Sequence, residues 1–199
     1  MKEYSTYRSE ILKRIEKDLK PGRFRHTLGV ESTAIALARI AGISEEKASL
    51  AALLHDWAKY MSEDASIKLL KRANVLKAFP NLEAYPKLLH AFAGAELVKK
   101  EYPKLDDEIV SAVQYHTTGR AGMSTLEKII FASDYIEPGR KTFSGLSEAR
   151  ERVFADLDQG VFLILEQTIR YLEENGESCY FLTKEAYEDM KRLVKPEEL

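Results

Sequence analysis

Residues 48–60 run ASLAALLHDWAKY, an apolar segment that closes on two consecutive polar residues, His55 and Asp56. Ser44 supplies an N-cap ahead of it, and Glu45 and Glu46 fill the first turn, so a helix is expected through this stretch. An unpaired carboxylate at the buried end of such a helix is costly. Asp56 therefore needs a partner. A metal ion would serve, and so would buried backbone groups that the pair caps or bridges. Neighbouring side chains on a helix diverge by roughly 100°. Both are short, however, and can converge on one ion in a groove between helices.

Helical spacing continues on either side. Tyr4, Tyr7, Ile11, Ile15 and Leu19 recur at three- and four-residue steps and predict one amphipathic helix, stopped by Pro21–Gly22. A second helix is expected from about Arg23 to Ala41, ended by Gly42. Ser62, with Glu63 and Asp64 behind it, starts another. Residues 73–88 contain Pro80 and Pro86 and predict loop or short helix. Helices follow over Leu89–Tyr102, from Asp106 to near His116, and from a cap at Ser124 or Thr125 through Ile136. Pro138–Gly139 breaks the chain. One long helix is then expected over Ser147–Glu174 and a last one from Thr183. The sole candidate strand is SCYFL, Ser178–Leu182. The prediction is an all-α fold of roughly eight to ten helices in a single domain over residues 1–199. Its core would span about residues 23–140, with the C-terminal helices of about 147–199 packed on it. The stripe Val161, Leu165, Ile169 and Leu172 is expected to be core or a homodimer seam, and Trp57 core.

Composition narrows the function. The chain has 199 residues, 45% hydrophobic and 31% charged, which is ordinary for a globular protein and argues against disorder. Its net charge of −2 offers no basic field for a nucleic-acid polymer. One cysteine, Cys179, excludes an internal disulfide and a cysteine zinc cluster. The N-terminus lacks the apolar core of a signal peptide, and no apolar run is long enough to span a bilayer. A cytoplasmic protein with no membrane partner is expected.

The histidines add to the His55–Asp56 pair. There are four, His26, His55, His90 and His116, each placed on a different predicted helix. Asp134, in IIFASDYIE, is a further carboxylate among apolar residues. Singly, each reads as a structural residue; together, in this order, they read as ligands. The order of His26, His55–Asp56 and Asp134 resembles the HD-domain superfamily of metal-dependent phosphohydrolases. The longer pieces RHTLGV, AALLHDWAK, HAFAGAEL, AVQYHTTGRAGMS and KIIFASDYIEPGR together resemble its bacterial YqeK group. That group is described as hydrolysing diadenosine tetraphosphate symmetrically to two ADP, using iron. The resemblance covers roughly Arg23 to Arg170, with no departure at a ligand position.

Carried onto this chain, the resemblance implies a compact helical HD-domain bundle. It implies one metal held by His26, His55, Asp56 and Asp134, and a second held by His90 and His116 with Asp56 bridging. A carboxylate has two oxygens and can serve both ions. Imidazole and carboxylate ligands without thiolate suit iron or manganese better than structural zinc. Two such ions activate water and neutralise phosphoryl charge, so Asp56 and Lys59 are the expected catalytic positions. Arg25, Lys59, Thr117, Gly119, Arg120 and Arg140 are the expected substrate contacts: cations for phosphate, a hydroxyl, and a glycine that admits a close ligand. A small nucleotide is the expected substrate. Rival readings are another nucleotide phosphohydrolase, a metal- and nucleotide-binding sensor without turnover, and a di-iron oxygenase on the same scaffold.

Overall fold

A computed structural model describes residues 2–194; residue 1 and residues 195–199, the ends of the expected single domain, lie outside the described residues. Among these the chain forms helices joined by turns and loops, and no strand. The helices are α1 (Lys2–Asp18), α2 (Pro21–Ala41), α3 (Glu45–Leu54), α4 (Glu63–Arg72) and α5 (Val75–Ala78). A 3-10 turn follows (Leu82–Ala84), then α6 (Pro86–Glu101), α7 (Asp107–Tyr115), α8 (Thr125–Ile136), α9 (Leu146–Ala155), α10 (Leu157–Glu174) and α11 (Phe181–Val194).

Local chemistry sets most boundaries. Pro21 and Pro86 each start a helix, where the missing N–H costs nothing. Gly42 ends α2 in the left-handed region at φ 69°. The Ser44 and Ser62 hydroxyls accept from the backbone of Lys47 and Ala65, and Asp106 accepts from Glu108. Ser124 and Glu127 form a reciprocal capping box at α8.

α3 is the hub. Every residue from Ala48 to Leu54 is buried, as befits a helix apolar all round, and α1, α2, α7 and α8 enclose it. The main core extends from these helices to α9, α10 and α11. A second cluster, around Leu70, Leu82, Leu89, Phe92 and Tyr180, forms beneath α4, α5 and the first half of α6.

The structure departs from expectation at four places. α3 stops at Leu54, and residues 55–60 proceed in tight turns, with Trp57 N–H donating to Leu54 O and Lys59 N–H to Asp56 O. α6 begins at Pro86 rather than Leu89. The expected long helix breaks at Asp156, whose extended backbone (φ −156°, ψ 112°) ends α9 while its side chain caps α10 through Gln159 N–H. α9 thereby folds back on α10. Residues 178–182 form no strand; α11 starts at Phe181, and Tyr180 and Leu182 both drop into the second cluster. The broken helix and short α5 account for the eleven helices. In the 161–172 stripe, Val161 and Leu165 are core while Ile169 and Leu172 are half-buried. Trp57 is core, its indole N–H donating to Asp18. No described helix is long and apolar enough to cross a membrane.

Candidate metal centre

Five structural elements converge at one end of α3. His26 projects from α2, His90 from α6 and Asp134 from α8, while His55 and His116 stand at the C-terminal caps of α3 and α7. The two capping histidines use the same device. His55 Nδ1 lies 2.6 Å from Ala52 O and His116 Nδ1 2.7 Å from Val113 O, each carbonyl three residues back. A carbonyl accepts only, so Nδ1 donates in both, and Nε2 is the nitrogen that faces the cluster. Their rings cross nearly at right angles with centroids 5.0 Å apart.

Asp56 is the centre of the arrangement and is buried. Its two oxygens face two groups. Oδ2 lies 3.3 Å from His55 Nε2 and 3.9 Å from His26 Nε2. Oδ1 lies 3.1 Å from His90 Nε2 and 3.8 Å from His116 Nε2. Asp134 completes the first side, with Oδ1 2.9 Å from His26 Nε2. His26, His55 and Asp134 form one group with ligand atoms within 4.8 Å of one another, and His55, Asp56 and His116 form another. His90 closes the second side, 3.3 Å from His116.

These contacts do not satisfy the polar atoms. His26 Nε2, His55 Nε2 and Asp56 Oδ1 are buried and have no partner in hydrogen-bonding geometry. Orphaned lone pairs at a buried site are expensive, and three converging from three residues are what a cation would satisfy. The electrostatics are those of a tightly coupled group: burial opposes the His55 charge, but Asp56 and Asp134 raise its pKa. Burial would raise the Asp56 carboxyl, but the His55 charge and contacts with His116, His55 and His90 hold it well below the usual carboxylate range. Asp134 is held low in the same way, chiefly by His26 against the cost of burial. Burial pushes His90 down to about 4, so its ring is a neutral donor at neutral pH. The donor set of imidazole and carboxylate, without thiolate, suits a divalent transition metal.

Two contributing residues escaped the sequence. Glu137, buried at the end of α8, takes the far nitrogen of His26: Nδ1 to Oε1 is 3.0 Å. One imidazole is thus bracketed by Asp134 and Glu137, one turn apart. Gly29 makes room, since a Cβ there would lie 2.5 Å from the Glu137 carboxylate. Arg23, not Arg25, carries a guanidinium to the cluster, with Nη1 2.8 Å from Asp56 Oδ2. Helical spacing was the available signal: Arg23 precedes His26 by three residues and Glu137 follows Asp134 by three.

The other expected contacts divide. Lys59 Nζ stands 3.4 Å from Asp56 Oδ1 and 3.1 Å from His90 Nε2. Arg140 pairs with Asp134 Oδ1 at 3.0 Å and also bonds its carbonyl. Arg25 is exposed. Arg120 is turned to Glu127 at 2.9 Å and lies over the Tyr115 ring, so it ties the turn after α7 to the start of α8. Gly119 has φ +62° and packs on Ala186 and Met123; its missing side chain admits α11. Thr117 keeps a buried Oγ1 without a partner.

Three comparisons with known proteins bear on the family of the chain. The HD domain family pattern matches residues 23–139. The chain is 37% identical over 179 residues to a protein of Bacillus subtilis named "Bis(5'-nucleosyl)-tetraphosphatase, symmetrical", covering 88% of this chain and 95% of the relative. A Halalkalibacterium halodurans protein of the same name is 37% identical over 183 residues, covering 92% and 96%. A crystal structure from Clostridium acetobutylicum, described as a "predicted HD superfamily hydrolase involved in NAD metabolism", superposes with a TM-score of 0.85 at 34% identity, covering 92% of this chain and 95% of that one.

Proposed function

Because the chain belongs to the HD-domain family, we propose that it is a metal-dependent hydrolase that cleaves diadenosine tetraphosphate symmetrically to two ADP. The observation that carries this reading is the division of Asp56, whose two oxygens address two separate histidine groups. It supports two divalent ions, iron first and manganese second. One would be held by His26, His55, Asp56 and Asp134, the other by His90, His116 and the same Asp56. The names of the Bacillus and Halalkalibacterium relatives give the substrate class, a bis(5'-nucleosyl) tetraphosphate cleaved symmetrically, of which diadenosine tetraphosphate is the adenine member.

When bound, such ions lower the pKa of water and neutralise charge on phosphoryl oxygens. The chain's own residues do the rest. Arg23, Lys59 and Arg140 ring the carboxylates and are drawn to a polyphosphate when it arrives. Lys59, part-exposed beside Asp56, is placed to take a phosphoryl oxygen. Glu137 holds His26 with Nε2 toward the cluster. The leaving group is a nucleoside diphosphate, whose terminal phosphate ionises near a pKa of about 6. A strong general acid is therefore not required. Thr117 remains a substrate contact in this reading; Arg25, Gly119 and Arg120 are spare or structurally engaged. The substrate is a cytoplasmic nucleotide, and α9–α11 close the flank of the same domain.

The experiment is direct. The protein is purified, its metal measured, and the products from diadenosine tetraphosphate chromatographed after loading with iron or manganese. ADP alone is expected. AMP with ATP, or no turnover with either metal, overturns the proposal. Asp56→Ala is expected to lose bound metal and more activity than the roughly 10–100-fold that outer partners of a metal site cost; normal turnover in that variant would defeat the two-ion account.

A further inference from the structure

Two clefts share a border near the cluster. The smaller, about 350 Å³, is bounded by Lys59 and His90 and so opens on the proposed reaction centre. The larger, about 620 Å³, lies between the start of α6, the end of α10 and the start of α11. Pro86 and Lys87 border both. Thr117, the residue after His116, lines the larger one as well.

The larger cleft has a different chemistry from the cluster. Tyr85, Leu172 and Tyr180 form an aromatic and apolar wall. The two tyrosine rings meet edge to face at 4.8 Å, and Tyr180 is fixed by its hydroxyl, which donates to Pro80 O at 3.2 Å. The buried Thr117 Oγ1 is without a partner. Lys87 Nζ is held by Glu177 at 2.6 and 2.7 Å, at the border shared with the smaller cleft. The volume falls within the range of about 300–1,000 Å³ for small-molecule sites. Walls of this kind suit a flat heterocycle, which stacks on aromatic faces whatever its identity.

We infer that the larger cleft receives one nucleoside of the substrate, its base against Tyr85 and Leu172 and its polar edge toward Thr117, while the phosphate chain passes Lys87 into the smaller cleft. An anionic chain there competes with Glu177 for the Lys87 ammonium. The inference rests on the proposed reaction and goes beyond it in assigning the nucleoside a place.

The test uses Leu172→Trp, which fills the cleft from a half-buried position, and Tyr85→Ala, which removes the ring. Inorganic tetraphosphate serves as a competitor without a nucleoside. Both variants are expected to raise KM for diadenosine tetraphosphate roughly tenfold, the size of one base-stacking contact. The inhibition constant of inorganic tetraphosphate is expected to stay within about twofold of the parent value. An unchanged KM in Leu172→Trp overturns the inference, as does a parallel rise in both constants. If Tyr85→Ala fails to fold, Leu172→Trp decides alone. If the parent protein does not turn over diadenosine tetraphosphate, the reaction fails and the cleft is judged by binding of a fluorescent N-methylanthraniloyl ADP. Roughly tenfold weaker binding to metal-loaded Leu172→Trp than to the parent supports the cleft, and equal binding overturns it.

Discussion

Glu137 carries the sharpest test at the scale of single residues. Its carboxylate accepts from His26 Nδ1 and from the Gly139 backbone N–H, so both oxygens are engaged. Replacing it by glutamine turns one acceptor into a donor that faces an N–H or the ring. The conflict with the ring releases His26 directly, and the conflict with the Gly139 N–H displaces the side chain that holds it. Outer carboxylates of this kind are worth about 10–100-fold in metal affinity. Glu137→Gln is therefore expected to weaken metal binding by that factor, read by titration with a competing chelator, with the melting temperature of the metal-free protein little changed. An affinity equal to the parent's would reduce Glu137 to packing. The contrast with the ligands shows what the sequence displays. With four histidines in 199 residues, each on its own predicted helix, the candidate ligands are conspicuous in the sequence. Arg25 drew notice because it adjoins His26, yet adjacency on a helix means divergence. Arg23, one turn away, is the residue that reaches Asp56. Arg120 had a charge but also a buried competitor, Glu127, already claimed by the α8 capping box.

Among the elements, α9 and α10 show where local pattern fails. The helix starts at Ser44, Ser62, Asp106 and Ser124 follow from side chains that bond their own backbone, and such chemistry is visible in four or five residues. The break at Asp156 is not, because apolar spacing continues across it and one aspartate in a helical run is ordinary. What fixes the break is tertiary: α9 folds back so tightly that a Cβ on Gly160 would lie 2.5 Å from Val153 Cα. That neighbour is backbone, which cannot swing aside. Gly160→Ala is favourable by roughly 1 kcal/mol as helix propensity, yet overpacking of this kind costs about 1–3 kcal/mol. The variant is expected to be less stable in urea unfolding, and a rise in stability would mean that the two helices yield easily. Ser124→Ala, which removes one half of the capping box, is expected to cost about 1 kcal/mol in the same assay. The turn after Leu54 is a milder case. A helix through Tyr60 satisfied propensity, but the side chain of His55 takes the Ala52 carbonyl and the chain tightens just where the ligands begin.

Across the whole molecule, the cluster gathers side chains from helices that the apolar core has already packed together. His26 and Glu137 are 111 residues apart, and Asp56 gathers contacts from α2, α6 and α7. The apolar core positions these helices but leaves His26 Nε2, His55 Nε2 and Asp56 Oδ1 buried and unpartnered. Folding without an ion therefore carries a penalty at this site, and an ion that binds the folded chain alone offsets it. Such linkage is worth about 2.7 kcal/mol when free metal stands at 100 times its dissociation constant. For a chain of this length, 1 kcal/mol shifts the melting temperature by about 2–4 °C. Removing metal with a chelator is thus expected to lower the melting temperature by roughly 5–11 °C, and readdition to restore it in proportion to the logarithm of the metal concentration. Asp56→Ala supplies the control. Lacking the residue that both sides share, it is expected to melt at the same temperature with and without chelator. If the parent protein, shown to be stripped by metal analysis, melted where the loaded protein does, the orphaned atoms would be satisfied by other means. If Asp56→Ala responded to chelator as the parent does, Asp56 would not be the residue on which metal binding depends.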